Sequence, residues 1–361
     1  MFFRKIIRKI IFYYVKLKNF SEYMANVYSQ FLVNDLFESE VPFNKKIWAY
    51  KRGFVSHRIL DYGINDDNYQ NYLSDYDYYR MHPLNGSESK WIDDKMTTKY
   101  VLTKFDEFLP EYYYILKKGK VIKLHNANIN HEATISDVVN ILEEKKMLAL
   151  KKEAAYGGDG FYKATYLKNE KYFLNDKEYS KEELISFLSK LDDYLVTEYI
   201  VAHKDIRKYY DKSAGVLRVM VINESKPFIA NAYLRVGSKK SGYIDAYTGS
   251  ISSVVDIDHG FYGDAFMHNG ISFIKLEVHP DSGIPFKGYV PKWDYVKQKL
   301  LEIAEYMPQL KYLGFDVCIT ESGFKIFEIN SHQGIELFQL SYPLLKDNPA
   351  SEFFKNNINK K

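Results

Sequence analysis

Residues 314–330, reading GFDVCITESGFKIFEIN, constrain this chain more than any other stretch. Two runs rich in Val, Ile and Phe flank Glu321-Ser322-Gly323, a short polar loop whose glycine can take the left-handed position that a three-residue hairpin turn needs. Pairing Thr320 with Phe324 and Cys318 with Ile326 sets Asp316 opposite Glu328, and strand alternation puts Asn330 on the same face. Opposed carboxylates repel unless something cationic sits between them. Oxygen ligands held on stiff strands suit Mg²⁺, which fills its remaining positions with water and phosphate oxygens. The other face, Phe315, Val317, Ile319, Phe327 and Ile329 broken only by Lys325, is expected to anchor the hairpin in a core. A surface hairpin with scattered acids is the plain alternative.

A chain of 361 residues holds two or three packed units, and 46% hydrophobic with 27% charged residues describes a folded globular protein rather than a disordered one. The net charge of +3 does not point to nucleic acid, and the aromatic residues, 17% of the chain, lack the basic interleaving of a stacking platform. The single cysteine, Cys318, excludes an intrachain disulfide and reads as a packing residue in mid-strand. No His or Cys spacing resembles a zinc site.

Residues 1–18 put Arg4, Lys5, Arg8 and Lys9 on one side of a helix and Phe3, Ile6, Ile7, Ile10 and Tyr14 on another. Charges recur too often for a spanning segment, so the segment reads either as an interfacial helix on anionic lipid or as a helix packed on the body with solvated lysines. Residues 21–85 give helical pieces broken at Pro42 and Gly53. A helix is expected from Lys90 onward, with Asp93 and Asp94 in its first turn where the helix dipole favours acids. Further on come a short strand at 121–124, a helix at 135–144 and the apolar strand Met147-Leu148-Ala149-Leu150, which runs into Lys151-Lys152. A Gly-rich turn follows, with Gly157, Gly158 and Gly160. It has neither a Walker ending nor a dinucleotide fingerprint, so a simple hairpin turn explains it, although such backbone N–H groups can also close over phosphates beside a strand lysine. Beyond a helix at 181–191, a strand carries Glu198. The almost wholly apolar strand 215–222 carries Arg218, which is costly there unless it meets an anion, either a substrate or a structural carboxylate. Another strand ends at Arg235, and helix 293–307 leads to the hairpin.

Taken in order, these features resemble the ATP-grasp superfamily. More narrowly, Val278-His279-Pro280-Asp281-Ser282-Gly283, Pro291-Lys292-Trp293, Gly314-Phe315-Asp316, Glu328-Ile329-Asn330 and Gln339 are similar to the sugar-transfer-associated ATP-grasp proteins of surface polysaccharide clusters. The resemblance runs from about residue 91 to 345. It implies an α/β (α+β) chain of the ATP-grasp fold, with ATP between two α+β subdomains and a helical N-terminal region. The expected division is 1–90 helical, 91–144 the first part of the core, 145–208 a small lid subdomain, 209–345 a large subdomain with the Mg²⁺ site, and 346–361 a tail.

Carried over residue by residue, the resemblance implies ATP-phosphate lysines at Lys95 and Lys151, with Lys99 and Lys152 as alternatives. It also implies a phosphate loop at Gly157, Gly158 and Gly160, and adenine held by the backbone of Glu198, Tyr199 and Ile200. Asp205 would take the ribose, Arg218 and Arg235 the transferred phosphoryl group, and Asp316, Glu328 and Asn330 would hold Mg²⁺. Lys152 stands where Pro commonly follows the strand lysine, His332 where Pro often follows the metal strand, and Asp245-Ala246 in place of the usual Asp-Asn. The implied activity is ATP-dependent joining of a small-molecule carboxylate to an amine, one of them a sugar or glycan precursor, in the cytoplasm or at the inner face of a membrane. A sugar or polyol kinase and a nonenzymatic nucleotide-binding component are the alternatives.

Overall fold

The computed structural model describes residues 2–153, 160–168, 171–241 and 249–360. Two antiparallel sheets carry the architecture. The smaller has seven strands, β1 (Tyr112–Lys117), β2 (Lys120–Lys123), β3 (Met147–Lys152), β4 (Tyr162–Leu167), β5 (Lys171–Leu174), β6 (Lys177–Tyr179) and β7 (Tyr194–Glu198), in the order β2-β1-β7-β3-β4-β5-β6. Residues 112–123 thus share a sheet with 147–198, earlier than the boundary near 145 drawn from the sequence. The larger sheet is built from β8 (Val216–Asn223), β9 (Pro227–Val236), β10 (Ile251–Val255), β11 (Phe261–His268), β12 (Phe273–Leu276), β13 (Gly288–Tyr289), β14 (Tyr312–Ile319) and β15 (Phe324–Asn330). Its order is β12-β11-β10-β9-β8-β14-β15, with β13 added against β11.

Side-chain alternation gives the smaller sheet two unlike faces. Leu148, Leu150, Ala164, Val196, Tyr114 and Leu116 point to one side and bury Val138, Val139 and Leu142 of helix Ile135–Lys145 and Leu184 and Leu188 of helix Lys181–Leu188. Both helices begin on reciprocal caps: Thr134 N–H donates to Asp137, and Ser180 and Glu183 exchange bonds of 2.8 and 3.2 Å. The opposite face carries Lys151, with Ala149, Lys163 and Thr197 lying in cross-strand register, and Met96 of helix Lys95–Val101 packs on this side beside Leu195 and Ile115.

The larger sheet is covered on both sides. Helix Trp293–Tyr306 packs Val296, Leu300 and Ile303 against Leu217, Val219 and Val221, while Met220, Ile222 and Tyr312 meet Tyr78, Phe338 and Phe354 on the other side. That explains why β8 and β14 read as nearly continuous apolar runs rather than alternating ones.

The N-terminal region holds five α-helices, Phe2–Lys16, Glu22–Glu38, Phe43–Lys51, Arg58–Tyr62 and Asp75–Met81, the last of which packs Tyr78 and Met81 on this second side. Lys46 is buried with its ammonium on the carbonyls of Asp35, Leu36 and Ser39 at 3.1, 2.9 and 2.8 Å, capping the second helix at its negative end. The Asp35 carboxylate is buried, and bonds from His57, Ser56 and Tyr50 outweigh that burial and hold it well below the usual carboxylate range.

Gln339 ties this region to the large sheet, accepting from Leu73 N–H at 2.8 Å and donating to the Leu73 carbonyl at 3.1 Å as a neighbouring strand would.

Candidate active site: a cationic cleft at the end of the hairpin

The hairpin forms, and Asp316 pairs with Glu328, but its turn differs from the expected one. Ile319 pairs with Phe324, Cys318 with Lys325 and Val317 with Ile326, which leaves a four-residue turn closed by Thr320 N–H on the Gly323 carbonyl at 2.9 Å. Gly323 is not in the left-handed region. The one-residue offset is absorbed by a bulge at Phe327, the extra residue between the Val317–Ile326 and Asp316–Glu328 pairs. Phe327 therefore leaves the buried apolar face assigned to it and turns into the cleft, where its ring lies 5.0 Å from the Lys151 ammonium. Cys318 is buried, its thiol pushed up to about 12 by burial, which agrees with a packing role.

Arg218 lies on β8 directly opposite Asp316. Its guanidinium forks onto that carboxylate, Nε to Oδ1 and Nη2 to Oδ2, the second bond at 2.8 Å. Burial alone would ease the proton off Arg218, but the Asp316 charge outweighs it and holds the guanidinium charged. Glu328, next in the row, is pushed up by burial; Lys95 opposes the push and Asp316 adds to it. Lys95 Nζ stands 4.0 Å from Glu328 Oε2.

The expected single helix from Lys90 is two short ones, Lys90–Asp93 and Lys95–Val101, because Asp94 is extended and caps the second by accepting from Thr97 N–H at 2.7 Å. This break places Lys95 in the first turn of the second helix, toward the hairpin. Lys99, one turn on, faces inward, with its ammonium on the Pro110 carbonyl at 3.0 Å and on Asp106 at 2.5 Å. Lys99 thus has internal partners where Lys95 has Glu328, and both line one small pocket with Phe327.

Lys151 and Lys152, as neighbours on β3, point to opposite faces. Lys151 looks into the cleft, where burial and the nearby Lys95 charge bring its ammonium down to about 8 against the opposing pull of Glu328. Lys152 is exposed on the other side, its methylenes beside Gly160. Gly160 has φ +70°, and a Cβ there would come within 2.8 Å of the Tyr194 hydroxyl and 3.2 Å of Lys152 Cδ, so glycine is required at this turn. Gly157 and Gly158 lie outside the described residues, as does Asp245-Ala246.

Glu198 ends β7; its N–H donates to Glu111 O at 2.9 Å and its carboxylate accepts from Glu111 N–H at 3.2 Å, with Lys325 at 3.7 Å. The Tyr199 ring lies 4.7 Å from the Lys163 ammonium, and Ile200 is buried. Asp205 is exposed beside His203 at 3.5 Å. The connection 199–205 is held to the hairpin tip, since His203 N–H donates to Ile319 O at 2.7 Å and Glu321 accepts from Lys204 N–H at 2.9 Å. Lys163, which ends the Gly-rich stretch, went unassigned in sequence; its register opposite Ala149 was the available signal.

Arg235 is two residues beyond Tyr233, the partner of Arg218, and so shares its face; its Nε is buried without a hydrogen-bond partner among the described residues. The Val278–Gly283 motif anchors the segment just after it: His279 Nε2 lies 2.9 Å from Gly237 O, and Asp281 accepts from Lys239 N–H at 2.7 Å.

Residues 76–346 match the family described as sugar-transfer associated ATP-grasp. The chain belongs to that family, and its fold is the ATP-grasp fold. Among solved structures it is similar to the ATP-grasp ligase PsnB complexed with minimal precursor, Mg and ADP, at 13% identity and TM-score 0.39, covering 76% of this chain and 61% of PsnB. It is also similar to D-alanyl-alanine synthetase A from Vibrio cholerae O1 biovar eltor, at 13% identity and TM-score 0.45, covering 76% of this chain and 67% of that one. The D-alanine-D-alanine ligase from Coxiella burnetii matches at 11% identity and TM-score 0.38, over 75% of this chain and 58% of that one. The chain thus spans about three fifths of the length of PsnB. No curated protein sequence matches it.

The donor set of this family member fits a magnesium ion. Asp316 and Glu328 offer hard oxygens from neighbouring strands, and Asn330, whose amide nitrogen donates to Gly314 O at 3.3 Å, is one alternation further along. Among the described residues no three His, Cys, Asp or Glu side chains cluster as a metal cage. The Arg218 fork leaves lone pairs on Asp316, and Glu328, its carboxyl raised by burial with Asp316 adding to the push, is a buried acid whose charged form a divalent cation would stabilise.

Proposed function

We propose that this chain is an ATP-dependent ligase that joins a carboxylate to an amine through an acyl phosphate, with a sugar of a surface polysaccharide precursor as one substrate. One observation carries the reading: three cations, Lys95, Lys151 and Arg218, gather around the Asp316–Glu328 pair in a cleft beside the Lys151 face of the smaller sheet. Such an excess of positive charge suits a triphosphate.

In this reading Lys95 and Lys151 neutralise phosphate oxygens, beside the turn at Gly160. Glu198, Tyr199 and Ile200 hold the adenine and Asp205 the ribose. Arg218, held in plane by Asp316, and Arg235, with its unanswered Nε, meet the phosphoryl group as it moves to the substrate carboxylate and releases ADP. An amine then attacks the activated carbonyl, expels phosphate and loses a proton. Mg²⁺ held by Asp316, Glu328 and Asn330 would offset charge on the phosphates. No protein nucleophile is needed.

The test is ADP release with panels of sugar carboxylates and amines, using wild type and Glu328→Ala. Amine-dependent ADP release in wild type, lowered at least ~100-fold in the variant, is expected. A stable phosphorylated sugar formed without amine would make the chain a kinase instead, and ADP release unchanged in Glu328→Ala would remove the assigned roles.

A further inference from the structure

The cleft leaves the first helix unused. Helix Phe2–Lys16 is docked along one side only, where Ile11, Phe12 and Val15 pack with Phe20, Met24, Ala25 and Tyr28, and Arg4 and Arg8 reach Glu38 and Asn26 at 2.8 and 2.6 Å. At about 100° per residue, Phe3, Ile6, Ile10, Tyr13 and Tyr14, with Leu17 just beyond, form a single stripe on the opposite side. That stripe is open to solvent, with Ile10 62% and Leu17 83% exposed. The same rotation sets Lys5, Lys9 and Lys16, all exposed, in a row along one border of the stripe. Residues 2–18 contain no acid at all.

We propose that this face seats the protein on an anionic lipid bilayer, the stripe entering at the boundary of headgroups and acyl chains and the lysine row meeting the phosphates. The helix lies in the surface plane, since no helix among the described residues is long and apolar enough to cross a membrane. Charge argues for lipid over a second copy of the chain. Two such helices meeting through their stripes would crowd lysine rows together with no carboxylate on either helix to answer them, whereas anionic headgroups answer them directly. The sequence left the packed and the interfacial readings open; the structure shows a helix with one face for each. This inference stands apart from the ligase reading, because its residues touch nothing in the cleft.

The experiment is flotation of the full-length protein with vesicles of phosphatidylcholine alone and of equal parts phosphatidylcholine and phosphatidylglycerol. Wild type is expected to float with the anionic vesicles, and at least ~10-fold less with the neutral ones or at high salt. Ile10→Ser with Leu17→Ser, and separately Lys5→Gln with Lys9→Gln and Lys16→Gln, should each cut flotation at least ~10-fold. The side chains are exposed, so both variants should melt at the wild-type temperature. Failure to float with anionic vesicles would overturn the proposal, as would flotation of both variants at the wild-type level. A wild-type dimer that Ile10→Ser with Leu17→Ser dissociates would make the face a self-association surface and equally overturn it.

Discussion

Two buried arginines, one on each side of residues 330–336, meet opposite charge balances. Arg58 in the N-terminal region is 1% exposed and faces three carboxylates: Asp75 at 2.9 Å, Glu336 at 3.2 Å and Asp61 at 3.4 Å. Acid exceeds base there, and burial pushes the Asp61 carboxyl up despite Arg58. In the cleft the balance reverses, with Lys95, Lys151 and Arg218 around two acids, and it is Lys151 that burial and a like charge push down, to about 8. The first cluster closes on itself and fastens the N-terminal helices to the segment after the hairpin. The second is left short of negative charge, and a polyanion is what completes it.

The sharpest way to break this comparison is to remove each guanidinium. Arg58→Met strands buried carboxylates and should cost about 3–5 kcal/mol in urea unfolding. Arg218→Met should stay folded at 25 °C and lose ~10²–10³-fold in turnover. If both variants unfold alike while nucleotide binding survives in Arg218→Met, the distinction between a fastening and a site fails.

Next is Lys151. Between about 8 and 10.5 the unfolded chain holds a proton that the folded chain has released, so stability should rise with pH across that window. Below it the buried cation subtracts a constant amount. Lys151→Met should abolish the slope, gain stability at neutral pH and weaken nucleotide binding at least ~10-fold, a loss read by calorimetry. The pair Lys95→Met and Lys99→Met separates site from scaffold more gently. The first should raise the KM for ATP at least ~10-fold with little effect on melting, and the second should do the reverse.

The smallest effect concerns His332, between the two clusters. Burial drops its ring to about 4 from an ordinary 6.5, so the protein should lose stability as pH falls through that window, and His332→Leu should flatten the acid limb by about 1 kcal/mol near its middle.

Much of this was legible because strand alternation has period two. Asp316 opposite Glu328, the two-sided burial of β8 and the core role of Cys318 all follow from patterns of adjacent residues. The bulge at Phe327 was not legible, since an unpaired residue in a Val- and Ile-rich run leaves no mark on composition. Lys95 and Lys99 are four apart on one helical face; only the cap at Asp94 and the position of the Pro110 carbonyl give them different partners. The Arg58 cluster joins residues 278 apart, beyond any local pattern.

The Phe327 bulge also means that the hairpin's two ends keep separate time. Loops of different length could be grafted at 320–323 without rotating the acids at its base, because the slack is taken up before Glu328. Deleting Phe327 alone would join the two flanking pairs into one regular ladder, keeping Glu328 opposite Asp316 while removing the ring that faces Lys151.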